Sequence, residues 1–214
     1  IVIAGINNLT IRSDWKEGET IDPDKSGKIV IEPRYVNVLS FCYCENVKIK
    51  GLSIGHTVEQ GSCSGGVISL VNCYTTNIDC CDLYGCGTYG LCAYESYNNF
   101  VSNSRIHDCS YGVAEVSESG YTEFNHCLID HNCEFTLFDV NSYNTLHINS
   151  CLITDNEGTL FSNNDVDVYF STINHPSESI GNAPALYESE YNDCYGVGEI
   201  GKSTIISYCN PQEE

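Results

Sequence analysis

Apolar residues along this chain recur in short alternating runs, and the runs themselves recur. The triplets Leu9-Thr10-Ile11, Val47-Lys48-Ile49, Thr76-Asn77-Ile78, Asn99-Phe100-Val101, Thr122-Glu123-Phe124, Leu146-His147-Ile148 and Val166-Asp167-Val168 align. Their third residues stand 38, 29, 23, 23, 24 and 20 positions apart. Three residues further on come Asp14, Leu52, Cys81, Ser104, Cys127, Cys151 and Ser171. Two beyond those stand Ile54, Leu83, Ile106, Ile129, Ile153 and Ile173. A second run in each unit is led by Val38, Val67, Leu91, Val113, Leu137 and Leu160. Val- and Ile-rich runs at period two, bounded by Asn, Gly, Ser and Asp, predict strands. No i, i+3, i+4, i+7 pattern persists for three turns, and 18 Gly and 21 Asn oppose long helices. A period near 23 is too short for a propeller blade and lacks the Leu pattern of a leucine-rich repeat. The prediction is an all-β solenoid: two or three short strands per coil, with coils stacked in parallel about 4.8 Å apart. About seven coils are expected over residues 1–173. Residues 174–214 lose the period at Pro176, Gly181 and Pro184, and are expected to form an irregular C-terminal cap.

Segments such as Asn46-Val47-Lys48-Ile49-Lys50-Gly51-Leu52 and Ser102-Asn103-Ser104-Arg105-Ile106 resemble the right-handed parallel β-helix family, whose architecture is that of pectate-lyase-like proteins. The stretch Cys63-Ser64-Gly65-Gly66-Val67 with Asp82-Leu83-Tyr84-Gly85-Cys86-Gly87-Thr88 is similar to bacterial β-helix-repeat proteins of unassigned function. The resemblance implies the fold, and sugar contact only by analogy. It also implies what a lyase of this kind needs, an arginine base beside Ca²⁺-binding aspartates, and Arg105 near Asp108 and Asp130 is the local echo of that arrangement. The polygalacturonase motifs are absent; Ile54-Gly55-His56-Thr57 does not replace them.

Charge narrows the partners. Nine Lys+Arg against 29 Asp+Glu give a net charge of −20, which repels phosphate backbones and argues against nucleic acid. No run of about 18 apolar residues exists, so no membrane-inserted helix is expected. The chain has no methionine and opens on the strand-like Ile1-Val2-Ile3, so a mature or excised fragment is expected. A place in a larger exported protein, extracellular or at a cell surface, is a separate expectation. Fourteen cysteines follow the repeat rather than paired zinc spacings, so stacked free thiols are expected at Cys81, Cys127 and Cys151. Cys86, Cys109, Asn132 and Asn156 are read as internal ladders.

Two adjacent rows are predicted on one outer wall: His56, Gly85, Asp108, His131 and Asp155, and beside them Gly55, Tyr84, His107, Asp130 and Thr154. Asp108, Asp130, His131 and Arg105 are the candidate catalytic residues. His56, Glu59, Tyr84, His107 and Tyr111 are the candidate substrate-binding ones, and Asp108, Asp130 and Asp155 a candidate Ca²⁺ set. Carboxylates on successive coils cannot all ionise cheaply, so one takes a proton or a cation binds. The alternative is that Asp and Asn stand there because turns favour them. The Gly55–Gly66 insertion is expected to border this wall. Tyr84, Tyr89, Tyr94, Tyr97 and Tyr111 are expected to line one face, where sugars stack on rings. Three readings follow: a non-catalytic carbohydrate-binding or surface-adhesive module whose partner is a glycan, a polysaccharide lyase, epimerase or hydrolase, and a structural spacer. The missing motifs favour the first.

Overall fold

The computed structural model describes residues 1–14, 27–31, 35–57, 64–85, 87–132, 135–141, 144–162, 166–175, 181, 185–187 and 190–192. Among them are 23 strands and no helix, hence none long and apolar enough to cross a membrane. The chain begins with β1 (Val2–Ala4), β2 (Thr10–Arg12) and β3 (Gly27–Ile31). The next turn holds β4 (Leu39–Cys42), β5 (Glu45–Lys50) and β6 (Leu52–His56). Then come β7 (Ile68–Val71), β8 (Tyr74–Asp79) and β9 (Asp82–Tyr84), and β10 (Tyr89–Tyr94), β11 (Tyr97–Ser102) and β12 (Arg105–His107). They are followed by β13 (Gly112–Ser117), β14 (Tyr121–Asn125) and β15 (Leu128–Asp130). After these come β16 (Thr136–Val140), β17 (Thr145–Asn149) and β18 (Leu152–Thr154), then β19 (Thr159–Phe161), β20 (Val166–Tyr169) and β21 (Thr172–Asn174). Last are β22 (Ala185–Tyr187) and β23 (Glu190–Asn192).

Every third strand pairs in parallel with its counterpart one turn away. Sheet A has seven strands, beginning β1-β4-β7, and sheets B and C have eight each, beginning at β2 and β3. The inward columns are those read from the sequence, with Ile29 added at the start of the second. Ile11, Ile49, Ile78, Val101, Phe124, Ile148 and Val168 stand in register through sheet B. Ile29, Ile54, Leu83, Ile106, Ile129, Ile153 and Ile173 do so through sheet C. Together with sheet A they make one core.

Two expectations are corrected. The regular solenoid is about five turns rather than about seven. From Ile68 onward, successive sheet A partners (Leu91, Ala114, Phe138, Phe161) are 23 or 24 residues apart, whereas Leu39 to Ile68 takes 29. The outer strands extend the sheets without keeping that period, and Ile3, Ile11 and Ile29 are only partly buried. Leu91 is also one residue out of the column assigned to it, because it pairs with Ile68 and Ala114. Gly90 fills the place between Val67 and Val113, where an added Cβ would meet the Ile106 Cγ2 at 2.7 Å.

Most of the described cysteines sit at the corners; Cys42 and Cys92 lie in β4 and β10. At most of the regular corners a residue with positive φ turns the chain, and the next residue points a small Cys, Ser or Asn side chain inward; after Gly51 (φ 63) it is the apolar Leu52. Cys80, Asn103, His126 and Ser150 (φ 51, 49, 54 and 53) precede Cys81, Ser104, Cys127 and Cys151. The Cys81 backbone N–H donates to Ser104 Oγ at 3.0 Å, and that of Cys127 to Cys151 Sγ at 3.4 Å. The corner between sheets A and B repeats this with Cys73, Ser96 and Ser119, each N–H donating to the next Oγ at 3.1 Å. At the third corner Cys109 and Asn132 donate to Asn132 Oδ1 and Asn156 Oδ1 at 3.1 and 3.0 Å, the ladder expected there; Cys86 lies outside the described residues. Each side chain thus satisfies an N–H that no strand pairs, which would be costly to bury unpaired. Cys81, Cys127 and Cys151 are buried and unbridged, and burial pushes the Cys81 thiol up to about 12. Under denaturing, non-reducing conditions iodoacetamide should label all three. Protection of all three in peptide mass spectra would establish disulfides instead.

Candidate functional site

The two predicted rows form on sheet C. Tyr84 and Asp130 flank His107 in register, with Thr154 beside Asp130. In the neighbouring row the Asp108 and His131 N–H groups bond the His131 and Asp155 carbonyls at 3.2 and 3.0 Å. That second row is the corner itself: Asp108, His131 and Asp155 have φ of 53, 55 and 53, a region in which Asp, Asn and His are enriched. Turn chemistry therefore accounts for their residue types.

The side chains on this wall are laced to one another. Arg105 grips Asp130 with both prongs, Nε to Oδ1 at 2.8 Å and Nη2 to Oδ2 at 2.6 Å. His131 Nδ1 donates to the same Oδ2 at 2.8 Å. His107 lies between two carboxylates, Nε2 to Asp82 Oδ1 at 2.9 Å and Nδ1 to Asp108 Oδ2 at 2.6 Å. A carboxylate oxygen accepts, and two carboxylates on one ring suit the protonated form, in which both nitrogens donate. Tyr84 stacks on it at 5.5 Å. Burial alone would lower the His107 pKa, but the hydrogen bonds to Asp82 and Asp108 outweigh it and raise the pKa. Burial would raise Asp130, yet the bonds from Arg105 and His131 hold it below the usual carboxylate range.

Several predicted members do not join in. The His56 ring is fully buried, with Nε2 against the Val36 carbonyl at 2.9 Å and Nδ1 without a partner, so it is no surface contact. Glu59 lies outside the described residues, as do 58–63 of the Gly55–Gly66 insertion. Tyr111 packs edge-on against Tyr89 and Phe135, at 6.3 and 4.6 Å. Asp155 is exposed and accepts from its neighbour Thr154 at 3.1 Å. The Ca²⁺ set is not assembled: among the described residues no group of three His, Cys, Asp or Glu is placed to hold a metal. The Arg105 fork occupies both oxygens of Asp130. The tyrosines do not share a face either, for Tyr84 is on β9, Tyr89 and Tyr94 on β10, and Tyr97 on β11.

Sheet B carries a surface that sequence reasoning missed. Its outward column is Thr10, Lys48, Asn77, Phe100, Glu123, His147 and Asp167, the middle residues of the aligned triplets. At one end is a cleft of about 620 Å³ lined by Lys48, Lys50, Asn77, Asp79, Ser102 and Asn103, with Asn46 and Thr75 at its side. From Phe100 a row of half-buried rings continues along the rod: Phe100–Tyr121 at 5.8 Å, Tyr121–His147 at 4.7 Å and His147–Tyr169 at 5.7 Å. Tyr121 donates to Glu123 Oε2 at 2.8 Å, and burial with that contact pushes its phenol up to about 12.

Residues 39–196 match the family described as the right-handed β-helix region. The chain belongs to that family, in agreement with the parallel three-sheet solenoid. No curated protein and no solved structure matches it.

Proposed function

We propose that this chain is a non-catalytic carbohydrate-binding or surface-adhesive module, carried in a larger exported protein, that lays a glycan along the outer face of sheet B. The observation behind this reading is the cleft beside a row of rings, one from each of four successive coils. Hydroxyl groups of a sugar suit the amides and hydroxyls of the cleft, and its C–H faces suit rings. The platform is rigid, because each strand is fixed by ladders on both sides and loses little freedom on binding. An extracellular or cell-surface setting belongs to the same reading. The sheet C wall fits catalysis less well, since a carboxylate that abstracts protons needs a raised pKa and Asp130 is held low by its partners.

A glycan array, with and without Ca²⁺, tests the proposal. Tyr121→Ala should weaken any hit about threefold to tenfold, the loss of one stacked ring. The double variant Asp130→Asn, His131→Ala should bind as the parent does. Loss of binding in the wall variant alone, at unchanged stability, moves the site to sheet C. A second reading, a polysaccharide hydrolase or lyase, draws on sheet A. There Glu115 and Asp139 are register neighbours, and burial with the Asp139 charge raises the Glu115 pKa. Cleaved or unsaturated products from a bound glycan would select it.

A further inference from the structure

We infer that the Lys48 end of the sheet B cleft is a subsite for an anionic substituent on the ligand, a carboxylate or a sulfate ester. The inference rests on the glycan-binding reading and specifies its chemistry. The chain as a whole carries −20, yet its described cations are not spread evenly. Of Arg12, Lys28, Lys48, Lys50 and Arg105, three lie on the outer face of sheet B in two adjacent coils, with Arg12 and Lys50 in register.

Their charges are compensated unequally. Lys50 pairs with Asp79 at 3.1 Å. That carboxylate is saturated as well by Ser102 Oγ at 3.0 Å and Asn103 Nδ2 at 2.9 Å. These contacts, against the opposing effect of burial, keep Asp79 ionised to lower pH than usual. Asp79 is the one acid in the cleft lining, so no uncommitted carboxylate faces the ligand there. Neither Lys48 nor Arg12 makes an ion pair among the described residues. Lys48 stands beside the Asn77 side chain in the outward column. At the cleft side the Asn46 amide is directed to Asn8 Oδ1 at 2.6 Å.

A ligand filling this end strips water from the Lys48 ammonium. A neutral sugar offers hydroxyls in exchange, whereas an anionic substituent offers a charge-assisted bond about twice as strong. The −20 field disfavours a long polyanion at a distance. A single substituent meets the local cations first, since beyond about 10 Å salt screens the rest. The site therefore suits a sparsely charged glycan better than a dense polyanion.

The test is an array bearing neutral, carboxylated and sulfated forms of the same backbones, read with the parent, Lys48→Gln and, as a control cation on sheet C, Lys28→Gln. The parent should prefer the charged forms about tenfold. Lys48→Gln should remove that preference while leaving the neutral forms bound as before, and Lys28→Gln should match the parent. The two charged arms separate carboxylate from sulfate. If neutral forms bind as tightly as charged ones, or Lys48→Gln keeps the preference, the subsite is wrong and the binding reading stands. If no form binds, both fall together.

Discussion

Replacing Ile148 with alanine is expected to lower the unfolding free energy by about 2 to 5 kcal/mol. Its side chain is fully buried and lies between Phe124 and Val168 in the sheet B column. A branched side chain removed there leaves a gap, because the coils on either side are pinned by their own ladders and cannot close on it. The same change at Ile11 should cost clearly less. That residue is partly exposed and stacks on Ile49 in the first turn. Urea unfolding of both variants measures the contrast. Equal losses, or a loss below about 1 kcal/mol at Ile148, would mean that the column is not a packed one.

The contrast also marks what the sequence could convey. Inward positions repeat in kind, Ile over Ile over Val, because every coil solves the same packing problem. That repetition made both long columns readable residue by residue. Where packing is solved by absence, the pattern misleads: Gly90 gives way to the Ile106 methyl group and has no side chain to align, so the apolar run points to Leu91 instead. The pattern suggests more regular turns than the fold has for a related reason, since a triplet such as Leu9-Thr10-Ile11 matches it whether or not its coil keeps the period.

The candidate site was legible as a register and misleading as chemistry. Asp108, His131 and Asp155 do stack, but the left-handed corner selects the same short polar residues that catalysis uses. His56 follows the same spacing, yet it carries no positive φ and its ring is buried. Asp82, which holds the His107 ring, stands outside both predicted rows because it is the register partner of Arg105. The sheet B face escaped for the opposite reason. Lys48, Asn77, Phe100, Glu123, His147 and Asp167 share no chemistry, so nothing in their types announces a column. Only the pairing register shows that these dissimilar residues adjoin.

The sheet C wall should in turn govern how stability responds to pH. His107 has a raised pKa in the folded chain, so its contribution is fully present below the unfolded value of about 6.5 and is lost as pH rises through the folded value. Asp130 is depressed, so its contribution is present above the unfolded value of about 3.9 and is lost as pH falls through the folded one. Together they favour a plateau between about pH 4 and 6.5, with a decline on the alkaline side of at most about 1.4 kcal/mol per pH unit from one proton. Removing a partner adds to this. Arg105→Ala leaves the Asp130 carboxylate, 7% exposed, without its guanidinium, while the Arg105 side chain is itself 44% exposed. The cost at neutral pH is therefore set at about 1 to 3 kcal/mol, below the figure for a fully buried pair. Unfolding curves for the parent, Arg105→Ala and His107→Gln across pH 3 to 9 separate the two contributions, with the other carboxylates cancelling in the differences. The Arg105→Ala deficit should shrink as Asp130 is protonated, and His107→Gln should flatten the alkaline decline. A deficit independent of pH would show that Arg105 acts by packing its stem alone, and an unchanged alkaline decline would remove His107 from the linkage.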